Sequence, residues 1–219
     1  MPPGATIIKI YLRQLARDEH GKLRHTTNED YTEKTPLSTR KLCGQPFEDY
    51  MWILSEEWRS WIPQEPKLGQ ELPAPESVKL RLLRYHLNPR VGFTEGPCFS
   101  RATAHDGALV GRVVKISSQS VELEVKGWAK LRLGDDLTFE PHLIGRLIFD
   151  RQQQRPSDFT LVALGDVCGH IQHGGYGYRP GKQPLGIACE LIRQPKPLDF
   201  LPPGGPSVEP DYLQPRSAR

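Results

Sequence analysis

Asp166, Cys168, His170 and His173 form the densest group of metal-capable side chains in the sequence. Thiolate and imidazole are good ligands for zinc or copper, and a loop can turn soft side chains and a carboxylate toward one centre. Around a metal-activated water this set would support hydrolysis, with Arg179 holding an anionic substrate. The spacing contains no CxxC pair or HxxxH knuckle, however, and equally suits a glycine-rich turn carrying a half-buried cysteine. No cofactor is therefore expected, and zinc is the alternative.

The same stretch holds Gly165, Gly169, Gly174, Gly175, Gly177 and Gly181. Glycines permit positive φ and close ligand approach, while Tyr176, Tyr178 and Arg179 can stack on or clamp a ligand. A ligand pocket is accordingly placed near the 165–181 loop. It is not a phosphate loop. That motif needs glycine five residues before Gly181 and Ser or Thr after Lys182, where Tyr176 and Gln183 stand. Gly165 to Gly169 also lacks the third glycine of a dinucleotide fingerprint.

Nucleophilic catalysis has little support. There is no GxSxG elbow, and Cys98 in Gly96-Pro97-Cys98-Phe99 has no local partner to lower its pKa. Net charge is only +3, but Val78 to Leu133 holds ten Lys or Arg against four acids, and Lys41 to Ser77 three against seven. Arg81, Arg84, Arg90, Arg101 and Arg112 with Tyr85 and Phe93 offer a nucleic-acid face. Glu122 and Glu124 would neutralise such a row through cross-strand pairs, which makes a solvated sheet face the preferred reading.

The elements that must position these residues read mainly as strands. Ala5 to Leu15 alternates, and so do Ala108 to Ile116 and Val121 to Val125 on either side of the turn-prone Ser117 to Ser120. Trp128 to Leu133, Leu137 to Phe149, Phe159 to Leu164 and Leu185 to Ile192 continue the pattern. Val78 to Leu87 also alternates, with a change of phase at Leu83, and reads as a bent strand ending at Asn88-Pro89. Ala16 to Pro46 shows no period and has room for one strand.

One short helix is expected over 55–62. Ser55 caps it, Glu56 and Glu57 occupy its first turn, Trp58 and Trp61 share a face, and Pro63 stops it. The prolines of 63–75 make an extended connector. With 21 prolines and 20 glycines in 219 residues, the chain predicts a mainly β fold, an antiparallel sandwich or half-open barrel with one short N-terminal helix.

Phe159-Thr160-Leu161-Val162-Ala163-Leu164-Gly165-Asp166, then Arg179-Pro180-Gly181, then Pro184-Leu185-Gly186-Ile187-Ala188-Cys189-Glu190-Leu191 resemble the C-terminal signature of a group of uncharacterised bacterial proteins. Arg84-Tyr85-His86-Leu87 is similar to the region that precedes it, and Trp58 to the end of their N-terminal part. The resemblance implies one continuous fold over most of the chain and carries over no catalytic residue. Where those proteins often have His and Trp after the ALGD run, Val167 and Cys168 stand here.

Residues 1–194 are thus expected to form a single β-rich domain, with strand, helix and connector packed on a sheet over 78–192, followed by a proline-rich extended tail over 195–219. In that tail Leu198, Phe200 and Leu201 are expected to dock, and nothing beyond Gly204-Gly205 to pack. No apolar run is long enough for a membrane span. The chain is read as cytoplasmic, or as secreted after loss of a signal. Four scattered cysteines fix no disulfide. The function expected is a binding or structural module, with a protein partner or self-association compatible, nucleic acid disfavoured, and the metal-dependent hydrolase as alternative.

Overall fold

A computed structural model of the chain describes residues 1–33, 40, 45–87, 105–133, 137–169, 179, 181–203 and 211–214. Its centre is an all-antiparallel sheet. The strands are β1 (Thr6–Arg17), β2 (Leu23–His25), β3 (Phe47–Ile53), β4 (Glu71–Pro73), β5 (His105–Ile116), β6 (Ser120–Leu133), β7 (Leu137–Asp150), β8 (Arg155–Cys168) and β9 (Gln183–Leu191). Their spatial order is β2-β1-β9-β8-β7-β6-β5-β4, with β3 also paired to β1. The fold is mainly β, and the sheet is left open.

Period-two patterning makes one face of this sheet the core. Ile8, Ile10 and Leu12 of β1, Leu123 and Val125 of β6, Leu143 and Leu147 of β7 and Phe159 and Leu161 of β8 are all buried on it. The strands approach closely where side chains are missing. A Cβ at Gly145 would run into the carbonyl of Thr160, and one at Gly165 into that of Glu140. At Ser117 to Ser120 the chain makes the expected hairpin turn, with Ser117 N donating to Ser120 O at 2.8 Å.

Two helices close the inner face. Helix α1 (Ser55–Trp61) is capped from within its first turn by Glu57, whose carboxylate accepts from the Leu54 amide at 2.8 Å. Trp58 and Trp61 stack with centroids 6.0 Å apart, and Trp58 meets the edge of Phe159 at 5.5 Å. Their indole NH groups donate to Thr6 Oγ1 and Leu72 O. The connector follows the sheet edge, where Gly69 N donates to Val113 O and β4 pairs with β5.

The strand expected over Val78 to Leu87 is instead helix α2 (Glu76–Arg81), continued by a π-helical turn over Leu82–His86. Leu87 N donates to Leu82 O at 2.8 Å, the five-residue step that defines such a turn. Alternation misled because it presumes a wet face and a dry face. Here Val78, Leu80, Arg81, Leu82, Leu83, Arg84, Tyr85, His86 and Leu87 are all buried. Strand β3, in a stretch that alternates poorly, is a second element that periodicity did not reveal.

Arg81 is fully enclosed and uses all five of its NH donors. Nη1 and Nη2 grip both oxygens of Glu57 at 2.9 and 2.8 Å, Nη1 also donates to Trp52 O, Nη2 to Leu213 O, and Nε to Tyr212 O. Ser77 Oγ completes the shell of Glu57. One turn on, His86 Nδ1 lies 3.0 Å from Asp49 and Nε2 lies 2.7 Å from the Tyr212 hydroxyl. Arg84 and Tyr85 both reach Asp211.

This reverses the expected role of the tail. Leu198, Phe200 and Leu201 are exposed, whereas Tyr212 is 2% exposed and Leu213 packs against Ile7, Tyr50 and Trp52. Apolar content alone misjudged the segment, because its anchoring comes from backbone carbonyls received by buried cations.

Replacing Arg81 or Glu57 by Ala leaves one buried charge unpaired and is expected to cost about 3–5 kcal/mol, with the double variant costing less than the sum. Tyr212→Ala should cost about 3–5 kcal/mol. Chemical denaturation of the four proteins checks both figures. Burial pushes the Glu57 carboxyl up, but the hydrogen bonds and charge of Arg81, with Ser77 and the Leu54 amide, hold it below the usual value. Its stabilisation is thus present above the ordinary glutamate range and is lost as pH falls through the lowered folded value. Acid titration of Glu57→Gln should show a shallower loss of stability below about pH 4.3 than the parent chain.

Candidate functional site

The outer face of the sheet carries the residues that the core does not use. At the end of β8 the even-numbered side chains Leu164, Asp166 and Cys168 point outward, one period apart. They lie beside Thr138, Glu140 and His142 of β7, which pair with them in register. Arg17 from the end of β1 and Lys182 from the start of β9 complete a cleft of about 310 Å³.

Arg17 is committed to Asp166 at 3.2 Å. Glu140, His142 and Lys182 have no hydrogen-bond or ion-pair partner among the described residues. The cleft thus presents a carboxylate, an imidazole and an ammonium, with the Cys168 thiol at its end.

The sequence candidates are distributed as follows. Asp166 and Cys168 share this cleft. His170, His173, Tyr176 and Tyr178 lie outside the described residues. Among the described residues no three His, Cys, Asp or Glu side chains converge as a metal group. Arg179 is 6% exposed, with Nη1 donating to Leu15 O at 2.5 Å, Nη2 to Pro184 O at 3.5 Å, and the guanidinium 5.7 Å from the Tyr31 ring centre. It clamps the end of β1 to the start of β9. Lys182, Glu140 and His142 were missed by sequence reasoning; only the strand register brings them together.

Among the described residues the basic stretch is divided between the core and the surface. Arg81 and Arg84 are buried, and Arg90 and Arg101 lie outside the described residues. Glu122 receives Lys115 at 3.1 Å and Arg146 at 2.8 Å, which lower its pKa, and Glu124 receives Lys126 at 3.2 Å.

A second, wider groove of about 680 Å³ runs beside β1, β3 and β9. Its Lys9 is already held by Glu48 at 2.8 Å and stands over the rings of Tyr11 and Tyr50, so its charge is spent within the fold. Among the described residues no helix is long and apolar enough to cross a membrane. The chain matches no protein-family model, no curated protein and no solved structure. The ALGD and PLGIACEL segments of the sequence signature form the paired strands β8 and β9, Val162 opposite Ala188.

Two cysteines report on the two faces. Cys189 lies on the inner face, and burial, with the Asp49 charge, pushes its thiol up to about 12. Cys168 is half-buried in the cleft. Peptide mapping after native alkylation at pH 8 should find Cys168 modified and Cys189 untouched until the chain is unfolded.

Proposed function

We propose that this protein is a binding module that holds a small polar ligand in the outer-face cleft lined by Glu140, His142 and Lys182. The observation that supports this reading is that these three side chains, charged or titratable, meet in one cleft without partners among the described residues. All three are solvent-exposed and so open to a ligand, and a cleft of this size falls at the small end of ligand sites. A ligand with an anionic end for Lys182 and a donor end for Glu140 matches the lining, which favours amino acids and short peptides.

The hydrolase alternative would need Asp166, Cys168, His170 and His173 around one metal. Asp166 is engaged by Arg17, which weakens that reading. Nucleic-acid binding through residues 78–133 is weakened by the burial of Arg81 and Arg84.

Thermal melting against a panel of amino acids and short peptides tests the proposal. A ligand at a hundred times its Kd adds about 2.7 kcal/mol, or roughly 5–10 °C for a chain of this size. The shift should vanish in Lys182→Met, with the ligand-free Tm unchanged. No shift from any member of the panel would remove the reading.

A further inference from the structure

Beside the cleft, the middle of the outer face is apolar. Trp128, Ile144, Val162 and Leu164 are each more than a third exposed. They form two adjacent rungs across the sheet: Ala108, Trp128, His142 and Leu164 in one, Val110, Lys126, Ile144, Val162 and Ala188 in the next. Exposed apolar belts of this kind on a sheet mark association surfaces.

The charges flanking the belt point to what covers it, although within the chain Glu124 is also met by Lys126 and Arg146 by Glu122. Along each of three neighbouring strands the sign reverses from one side of the belt to the other. Strand β6 has Lys130 on one side and Glu124 on the other; β7 has Glu140 and then Arg146; β5 has Asp106 and then Arg112. Cross-strand pairing within one sheet explains why neighbouring strands alternate in sign. It does not explain the reversal along each strand.

We infer that this belt is the interface of a symmetric dimer in which the outer faces of two copies of the chain pack on each other, related by a two-fold axis that runs along the belt. Such an axis lays each side of one belt over the opposite side of the other. Lys130 then faces Glu124 of the second copy, Glu140 faces Arg146, and Asp106 faces Arg112, across the ~10 Å that separates packed sheets. A two-fold axis parallel to the strands fails the same test. Placed on β6, it sets Lys130 on Lys130 and Glu124 on Glu124. His142 and Leu164 belong to both belt and cleft, so the second copy roofs the cleft. Glu140 and His142 serve both this inference and the ligand reading, whereas Lys130 and Glu124 lie outside the cleft, so a charge cycle at those two positions tests the dimer separately.

The test is a charge-reversal cycle read by sedimentation velocity from low micromolar to several hundred micromolar protein. The parent chain should move from monomer to dimer. Lys130→Glu and Glu124→Lys should each weaken the dimer about tenfold or more, and the double variant should recover most of that loss. Six residues apart on one strand, the two side chains sit about 20 Å from each other in a monomer, so recovery reports contact between copies. Ile144→Glu, at a site 63% exposed and free to take a polar group without unfolding, should abolish association. A parent chain that stays monomeric overturns the inference. So do single reversals without effect, additive losses in the double variant, or a dimer that survives Ile144→Glu.

Discussion

The ion pair of Arg81 and Glu57 is the contact on which the two helices, the β3 edge and the C-terminal segment all depend. A guanidinium with no exposed surface costs several kcal/mol in desolvation, and only a complete set of acceptors offsets it. That set comes from four places: the carboxylate of α1, the Trp52 carbonyl of β3, and the carbonyls of Tyr212 and Leu213. None of these groups is near Arg81 in sequence. The cation therefore fixes their mutual geometry: any drift of one element leaves an NH donor unmet in a dry site. The neighbouring His86 works the same way with smaller charges. Burial keeps the Tyr212 hydroxyl protonated, with its pKa well above the ordinary 10, and holds it at hydrogen-bonding distance from one imidazole nitrogen while the other nitrogen lies against Asp49.

The sheet supplies the rest by a division of labour between its faces. Inward residues build the core, and Cys189, one strand away from Asp49 across Ile10, is sealed within it. Outward residues are left to carry charge and, at the belt, apolar surface. Strand β1 holds the arrangement together because it pairs along one edge with β9 and along the other with both β3 and β2. Arg179 adds a cross-tie between the end of β1 and the start of β9.

Strands with one wet face were legible in the sequence, and their reasons are plain. Val121, Leu123 and Val125 against Glu122, Glu124 and Lys126 is a pattern that water imposes, and the structure keeps it residue for residue. The same rule failed at Val78 to Leu87, because Arg81 stands in the alternation where a solvated residue should stand and is in fact enclosed. No local feature distinguishes a cation facing water from one facing five buried acceptors. Helix α1 announced itself through Glu57 and its tryptophans, although the carboxylate that looked like a first-turn charge also holds Arg81. Of the cleft, Asp166 and Cys168 were visible as a motif. Glu140, His142 and Lys182 were invisible, being separated along the chain and joined only by register.

The Tyr212 contact has a consequence in time as well as in space. Residue 212 follows Arg81 by 131 positions, and translation at 5–20 residues per second delivers it roughly 7–26 s later. Throughout that interval Glu57, Trp52 and Asp49 are already made, but Arg81 lacks the Tyr212 and Leu213 carbonyls, Arg84 lacks Asp211 and His86 lacks the Tyr212 hydroxyl. Water must take the place of those later partners while the strands behind α2 are being made. Closure of the core around Arg81 is thereby deferred until residues 211–213 are made. A chain lacking residues 211–213 would leave those NH donors to water, so the surroundings of Arg81 depend on residues far downstream of it.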